Sequence, residues 1–150
     1  MAKPSDLHVS TQLERKDPRL PAYAVIPGRH VRPWGLTGTT VVEGTANGFP
    51  LGRRTIKAWG KGSDDWFLEF TAAFCTSAQL GVGDTVTLQL RLADTSTPKE
   101  LKDMLDADPR LATAWQALSE RERREAGEYI RAAKTQATRE RRAASIAERL

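Results

Sequence analysis

The glycines and prolines of this chain are confined almost entirely to its first two thirds. Ten of the eleven glycines and six of the eight prolines precede position 98. Both residue types punctuate short strands and tight turns, and both weaken helix interiors. After Thr97-Pro98 the chain becomes rich in alanine, arginine and glutamate. It therefore reads as a β-module over residues 1–97 and a helical segment over residues 98–150, an α+β arrangement. A chain of 150 residues buries about 70% of the surface its unfolded form exposes, so a true core forms without staples.

Within the β-module, apolar residues recur at every second position. In Thr85 to Leu92, Val86, Leu88, Leu90 and Leu92 share one face, and Thr85, Thr87, Gln89 and Arg91 share the other. Leu7, Val9, Thr11 and Leu13 alternate in the same way, Tyr23 to Ile26 is a short apolar run, and Thr39 to Ala46 is rich in β-formers. Asn47-Gly48 follows at once and predicts a hairpin, because both residues tolerate positive φ. Residues 52–59 and 65–71 read as a second hairpin with a five-residue loop at Lys61 to Asp65. That register sets Lys57 opposite Glu69 and Trp59 opposite Phe67. It also puts Arg53, Lys57, Trp59 and Phe67 on one face, with Arg54, Ile56, Ala58, Trp66, Leu68 and Phe70 on the other, inward one. Gly81-Val82-Gly83-Asp84 reads as a turn and residues 76–80 as one helical turn. Six short strands with tight turns predict a small six-stranded β-barrel, since closure removes exposed edges.

The helical segment carries start signals. Thr97-Pro98-Lys99-Glu100 combines a capping box with proline at the first helical position, Asp108-Pro109 restarts a helix, and Ser119-Glu120-Arg121-Glu122 is a second capping box. Helices are predicted at 98–106, 109–117, 119–133 and 136–149. Their apolar anchors are Leu101, Leu105, Leu111, Trp115, Leu118, Tyr129 and Ile130. Glu120 and Arg124 stand at the favourable i,i+4 spacing.

Several function classes are disfavoured at this level. A single cysteine, Cys75, excludes an intramolecular disulfide framework and a multi-thiolate zinc site, and His8 and His30 are the only histidines. No metal or cofactor is therefore expected. No apolar run approaches the ~20 residues of a membrane helix and no secretory leader opens the chain, so a cytoplasmic, membrane-free protein is expected. The net charge of +4 is mild for a dedicated nucleic-acid binder. Gly60-Lys61-Gly62-Ser63 lacks the spacing of a phosphate loop, and Gly62 stands where Ser or Thr would follow the lysine. Cys75, in the apolar context Ala72-Ala73-Phe74, has no visible general base. The expectation is a protein without enzymatic activity.

Two stretches carry a family resemblance. One comprises Val42-Glu43-Gly44-Thr45-Ala46-Asn47-Gly48, Arg53, and Gly81-Val82-Gly83-Asp84-Thr85-Val86 with its alternating strand. The other comprises Trp115-Gln116-Ala117-Leu118-Ser119, Arg123-Arg124-Glu125, Tyr129-Ile130, Ala133-Lys134, Thr138-Arg139 and Arg141-Arg142. Together they resemble the YdeI/OmpD-associated, or bacteriocin-protection, family over roughly residues 7–150. Where that family often has proline and glutamate, this chain has Gln136-Ala137, and Pro27 to Thr37 matches poorly. The resemblance implies a split β-barrel followed by helices and a role in protection against antimicrobial peptides or toxins; it brings no catalytic residues. Similar barrels occur in AbrB-like regulators.

Exposed aromatic and guanidinium groups hold planar or charged ligands through stacking and cation–π contacts. With the resemblance, this points to a binding protein that sequesters or senses an antimicrobial compound or peptide, in a role tied to antibiotic resistance or stress response. The lining candidates are Arg53, Arg54, Trp59, Trp66 and Trp34. The alternative is an AbrB-like nucleic-acid-binding regulator acting through Arg139, Arg141 and Arg142; for these arginines, complementing a helix C-terminal dipole is the competing structural role. The oligomeric state is left as monomer or homodimer.

Overall fold

The computed structural model describes residues 6–150. The chain divides into two compact units, one ending at Asp94 and the other spanning Thr95–Leu150.

The first unit is a closed barrel. Its strands are β1 (Leu7–Glu14), β2 (Ala22–Ile26), β3 (Thr40–Ala46), β4 (Phe49–Pro50), β5 (Arg54–Ala58), β6 (Trp66–Phe70) and β7 (Thr85–Leu92). The sheet order is β4-β3-β5-β6-β2-β1-β7, and pairing of β3 with β7 closes a ring of six, with the two-residue β4 appended to β3. All pairings are antiparallel. The alternation read in the sequence sets the faces: Leu7, Val9 and Leu13 of β1 and Val86, Leu88 and Leu90 of β7 are buried, while the residues between them are mostly exposed. Asn47-Gly48 forms the expected two-residue turn at φ 50° and 82°, the mirror-image conformation that matches strand twist. The Asn47 side chain secures it, accepting from the Thr87 N–H at 2.7 Å and donating to the Thr85 carbonyl at 3.3 Å.

The second hairpin departs from its expected register by two residues. Lys57 faces Phe67 and Ala58 faces Trp66. The chain turns one residue early on each arm, because Gly60 and Gly62 adopt φ 134° and 84° and so form the loop rather than extend the strand. The Trp59 N–H then donates to the Asp65 carbonyl at 2.9 Å. A slip of two keeps every side chain on its own face. The contacts expected straight across are therefore made diagonally: Lys57 still meets Glu69 at 3.5 Å, and Trp59 still meets Phe67.

Two short helices complete the barrel unit. The segment Pro27 to Thr37 contains α1 (Gly28–Val31), which includes His30, followed by a 3₁₀ turn at Arg32–Trp34. The single turn expected at 76–80 is instead α2 (Ala72–Ala78), started by Thr71, whose hydroxyl accepts from the Phe74 N–H.

The second unit contains α3 (Lys99–Ala107), α4 (Pro109–Ala117), α5 (Glu120–Arg131) and α6 (Gln136–Glu148), close to the four predicted spans. Asp108 and Ser119 cap α4 and α5 through their side chains as expected. Thr97 does not cap α3. Pro98 occupies that position and its carbonyl takes the first amides, those of Leu101 and Lys102. In α5 the ion pairs are Arg121–Glu125 at 2.9 Å and Glu128–Arg131 at 3.4 Å, rather than Glu120–Arg124. Leu101, Leu105, Trp115, Ile130 and Ala143 form the core of this unit. Among the described residues, no helix is long and apolar enough to cross a membrane.

Candidate functional site

Three adjacent barrel strands present aromatic rings to the outside. Ala22, Ala24 and Ile26 point inward from β2, which turns Tyr23 outward. On β6 the inward residue is Leu68, leaving Phe67 and Glu69 outside. Trp59 follows β5 directly, 37% exposed. Pairing of β2 with β6 (Tyr23 opposite Glu69, Val25 opposite Phe67) and of β6 with β5 brings the rings together. Tyr23 and Trp59 lie 5.3 Å apart between centroids at a 47° tilt, and Trp59 and Phe67 lie 5.4 Å apart, edge to face. These offset and perpendicular arrangements suit aromatic quadrupoles. The loop between β1 and β2 supplies the remaining wall. Lys16 places its Nζ 4.6 Å from the Trp59 ring centroid, and Leu20 and Pro21 line the groove, Leu20 with 52% of its surface exposed. The groove has a volume of about 190 Å³ and is completed by Glu69.

The charges around it are specific. Glu69 pairs with Lys57 at 3.5 Å, in solvent. Burial of its ring, and secondarily the Glu14 carboxylate on the neighbouring strand, raise the Tyr23 phenol above its usual value, so Tyr23 is a neutral ring at physiological pH. The loop backbone is braced locally. Asp17 accepts from the Arg19 amide at 2.8 Å and from its guanidinium at 3.0 Å, and the Leu20 amide donates to the Asp17 carbonyl at 2.9 Å. The Arg19 side chain, and then its amide, lower the Asp17 carboxyl below the ordinary aspartate value.

Of the five residues expected to line a site, the structure brings only Trp59 into this groove. Arg53 lies elsewhere, pairing with Glu43 at 3.5 Å and donating to the Asp94 carbonyl at 2.7 Å. Arg54 is half-buried and lines a second recess of about 280 Å³ with Thr55, Leu68 and Phe70; the two recesses share Pro21 and Glu69. Trp66 packs against the barrel core, and Trp34 is part of that core at 8% exposure. Cys75 also packs against the core, and no group of metal-ligating side chains occurs among the described residues. The groove residues not expected were Tyr23, Lys16, Leu20 and Pro21. The parity of Tyr23 between inward Ala22 and Ala24 was a usable signal.

The C-terminal arginines are held inside the helical unit. Arg139 donates to the Ala133 carbonyl at 3.0 Å, just beyond the C-terminus of α5, and Arg142 donates to the Tyr129 carbonyl at 2.7 Å while lying over the Tyr129 ring. Arg141 reaches Thr138 at 3.3 Å. Arg123 serves α4 in the same way, donating to the Gln116 and Leu118 carbonyls at 3.0 and 2.6 Å. Arg131 donates to the Ser96 carbonyl. The C-terminal carbonyls of α4 and α5 thus receive arginines from the helix that follows each, a substitute for glycine-based caps.

Residues 95–150 match the model of a family described as bacteriocin-protection, YdeI or OmpD-associated. The match coincides with the helical unit and leaves the barrel, with its aromatic groove, outside it. That description names bacteriocin protection as the family's role. Comparison with curated proteins yields no match.

Proposed function

We propose, taking the bacteriocin-protection similarity of residues 95–150 as the premise, that this chain is a non-enzymatic protection protein. It binds an antimicrobial compound or peptide on the outer face of its barrel, in the cytoplasm. The observation that carries this reading is the solvent-facing cluster of Tyr23, Trp59 and Phe67 with Lys16 seated on the indole. Isolated exposed aromatics are ordinary, but three contacting rings from three strands, lining one groove, form a contiguous apolar surface of the kind that marks ligand sites. The groove supplies rings, aliphatic walls, one stacked ammonium and one ion-paired carboxylate. Those groups suit stacking and charge recognition rather than bond-breaking.

The test is a titration followed by tryptophan fluorescence, paired with a survival assay in sensitive cells. Trp59→Ala is expected to abolish both the spectral response and protection. Arg53→Ala, outside the groove, is expected to leave both intact. Equal loss in the two variants, or no loss in Trp59→Ala, refutes the site. A response given only by short DNA duplexes, and disappearing as salt rises, would instead support the nucleic-acid reading, because such binding weakens with counterion release.

A further inference from the structure

We infer that the occupant of the groove is the lysine side chain of a basic peptide, and that Lys16 is an internal competitor holding its place. This rests on the binding role proposed above. A lysine ammonium already occupies the indole face, at 4.6 Å from the ring centroid, well inside the range of a cation–π contact. The indole is fixed for this purpose. Phe67 meets it edge to face, and Tyr23 supports it at 5.3 Å, so its plane does not depend on Lys16.

The surroundings select the same chemistry. Glu69 lines the groove, and Glu14 stands opposite Tyr23 on the adjacent strand. Once Lys16 swings away, an incoming ammonium finds the negative face of Trp59, the Glu14 carboxylate opposite Tyr23, and the Glu69 carboxylate, which it shares with Lys57 at 3.5 Å. Leu20 and Pro21 flank the ring and offer apolar contact to the methylene stem of a lysine. Lys16 can leave cheaply. Its side chain is exposed, and the Asp17–Arg19 brace with the Leu20 amide bond holds the loop backbone without it. Displacement therefore needs only rotation of one long side chain.

The experiment follows the Trp59 indole N–H resonance of the full chain while three probes are added. These are a short peptide with one lysine between leucines, the same peptide with norleucine replacing lysine, and tetramethylammonium chloride. The lysine peptide is expected to bind, the norleucine peptide to bind more weakly, and Lys16→Met to tighten the lysine peptide by about two- to fivefold, as expected when an exposed cation–π competitor is removed. Equal binding of both peptides, unaffected by Lys16→Met, overturns the cation inference and leaves the binding role standing. A response to tetramethylammonium alone overturns the peptide as the source of the cation. No response to any probe counts against both the inference and the groove itself.

Discussion

Barrel closure depends on one glycine, and the dependence can be measured. Gly44 sits in β3 where it pairs with Leu90 of β7, at φ 150°. A Cβ added there would lie 1.9 Å from the Gln89 carbonyl oxygen, 2.9 Å from its carbon and 3.0 Å from the Leu90 Cα. All three are backbone atoms of β7, so no side-chain rotation relieves the clash. Gly44→Ala must part β3 from β7 at the seam that closes the ring. Holding an L-residue at this φ costs on the order of 1–3 kcal/mol, and overpacking adds roughly 1–3 kcal/mol. The sum, ~2–6 kcal/mol, is a large share of the ~5–15 kcal/mol that holds a typical domain together. Gly48→Ala is the matched control. Gly48 also has positive φ, at 82°, but open space around its Cβ position, so only the conformational cost of ~1–2 kcal/mol applies. Urea unfolding in a Trp115→Phe background isolates the barrel, since the remaining tryptophans, Trp34, Trp59 and Trp66, all lie in it. The expected order of stability is wild type, then Gly48→Ala, then Gly44→Ala. If Gly44→Ala is no less stable than Gly48→Ala, the account of closure is wrong.

Other expectations follow from single contacts. Ile130→Ala removes a fully buried side chain of the helical core and should cost ~2–5 kcal/mol, seen as early loss of ellipticity at 222 nm while barrel fluorescence persists. Arg123→Lys should lower the midpoint of the same helical transition, because the lysine side chain is one bond shorter and its ammonium falls short of the point from which Arg123 Nη1 donates to both the Gln116 and Leu118 carbonyls; a loss of about 1–2 kcal/mol is expected for charge-assisted bonds at a half-buried site. Asp17 should titrate below the ordinary 3.8 of an aspartate in an NMR pH series, and Arg19→Ala should return it towards that value. The sign is that of a depressed carboxylate. Its small contribution to loop order is present above the unfolded value and vanishes as pH falls through the lowered native one.

Local signals carried most of the fold. Strict alternation placed β1 and β7, and proline and side-chain caps placed the helices, because these features are decided within a few residues of sequence. The departures arose where two local preferences competed. At Thr97-Pro98 the hydroxyl offered a cap, but proline took the boundary position and its carbonyl received the helix amides. At Trp59-Gly60 the extended pattern ran on, while Gly60 and Gly62 allowed an earlier turn. The resulting slip was even, so it moved partners without exchanging faces, and Trp59 remained outside with Phe67.

The site was less legible because it is assembled across strands that are distant in sequence. Trp59 and Phe67 belong to one hairpin and were grouped from spacing alone. Tyr23 joins them only because β2 pairs with β6, a non-local choice that no short window encodes. Lys16 follows from Tyr23, since the loop between β1 and β2 must pass over whatever lies beside that strand. The C-terminal arginines admitted two readings. Their clustering allowed an anionic partner or a role at a helix end, and Arg139 and Arg142, like Arg123, are directed at backbone carbonyls near helix ends. A guanidinium is an efficient cap because its planar donors reach two acceptors at once and it never loses its charge. A helical unit with short connections and few glycines needs such donors, since Gly127 is its only glycine and lies inside α5 rather than at a helix end. Charge in the helices thus serves folding even where it lies over a ring, as Arg142 does over Tyr129 while donating to the Tyr129 carbonyl, whereas Lys16 on the barrel rests on the Trp59 indole. The proposed recognition site is accordingly the barrel groove.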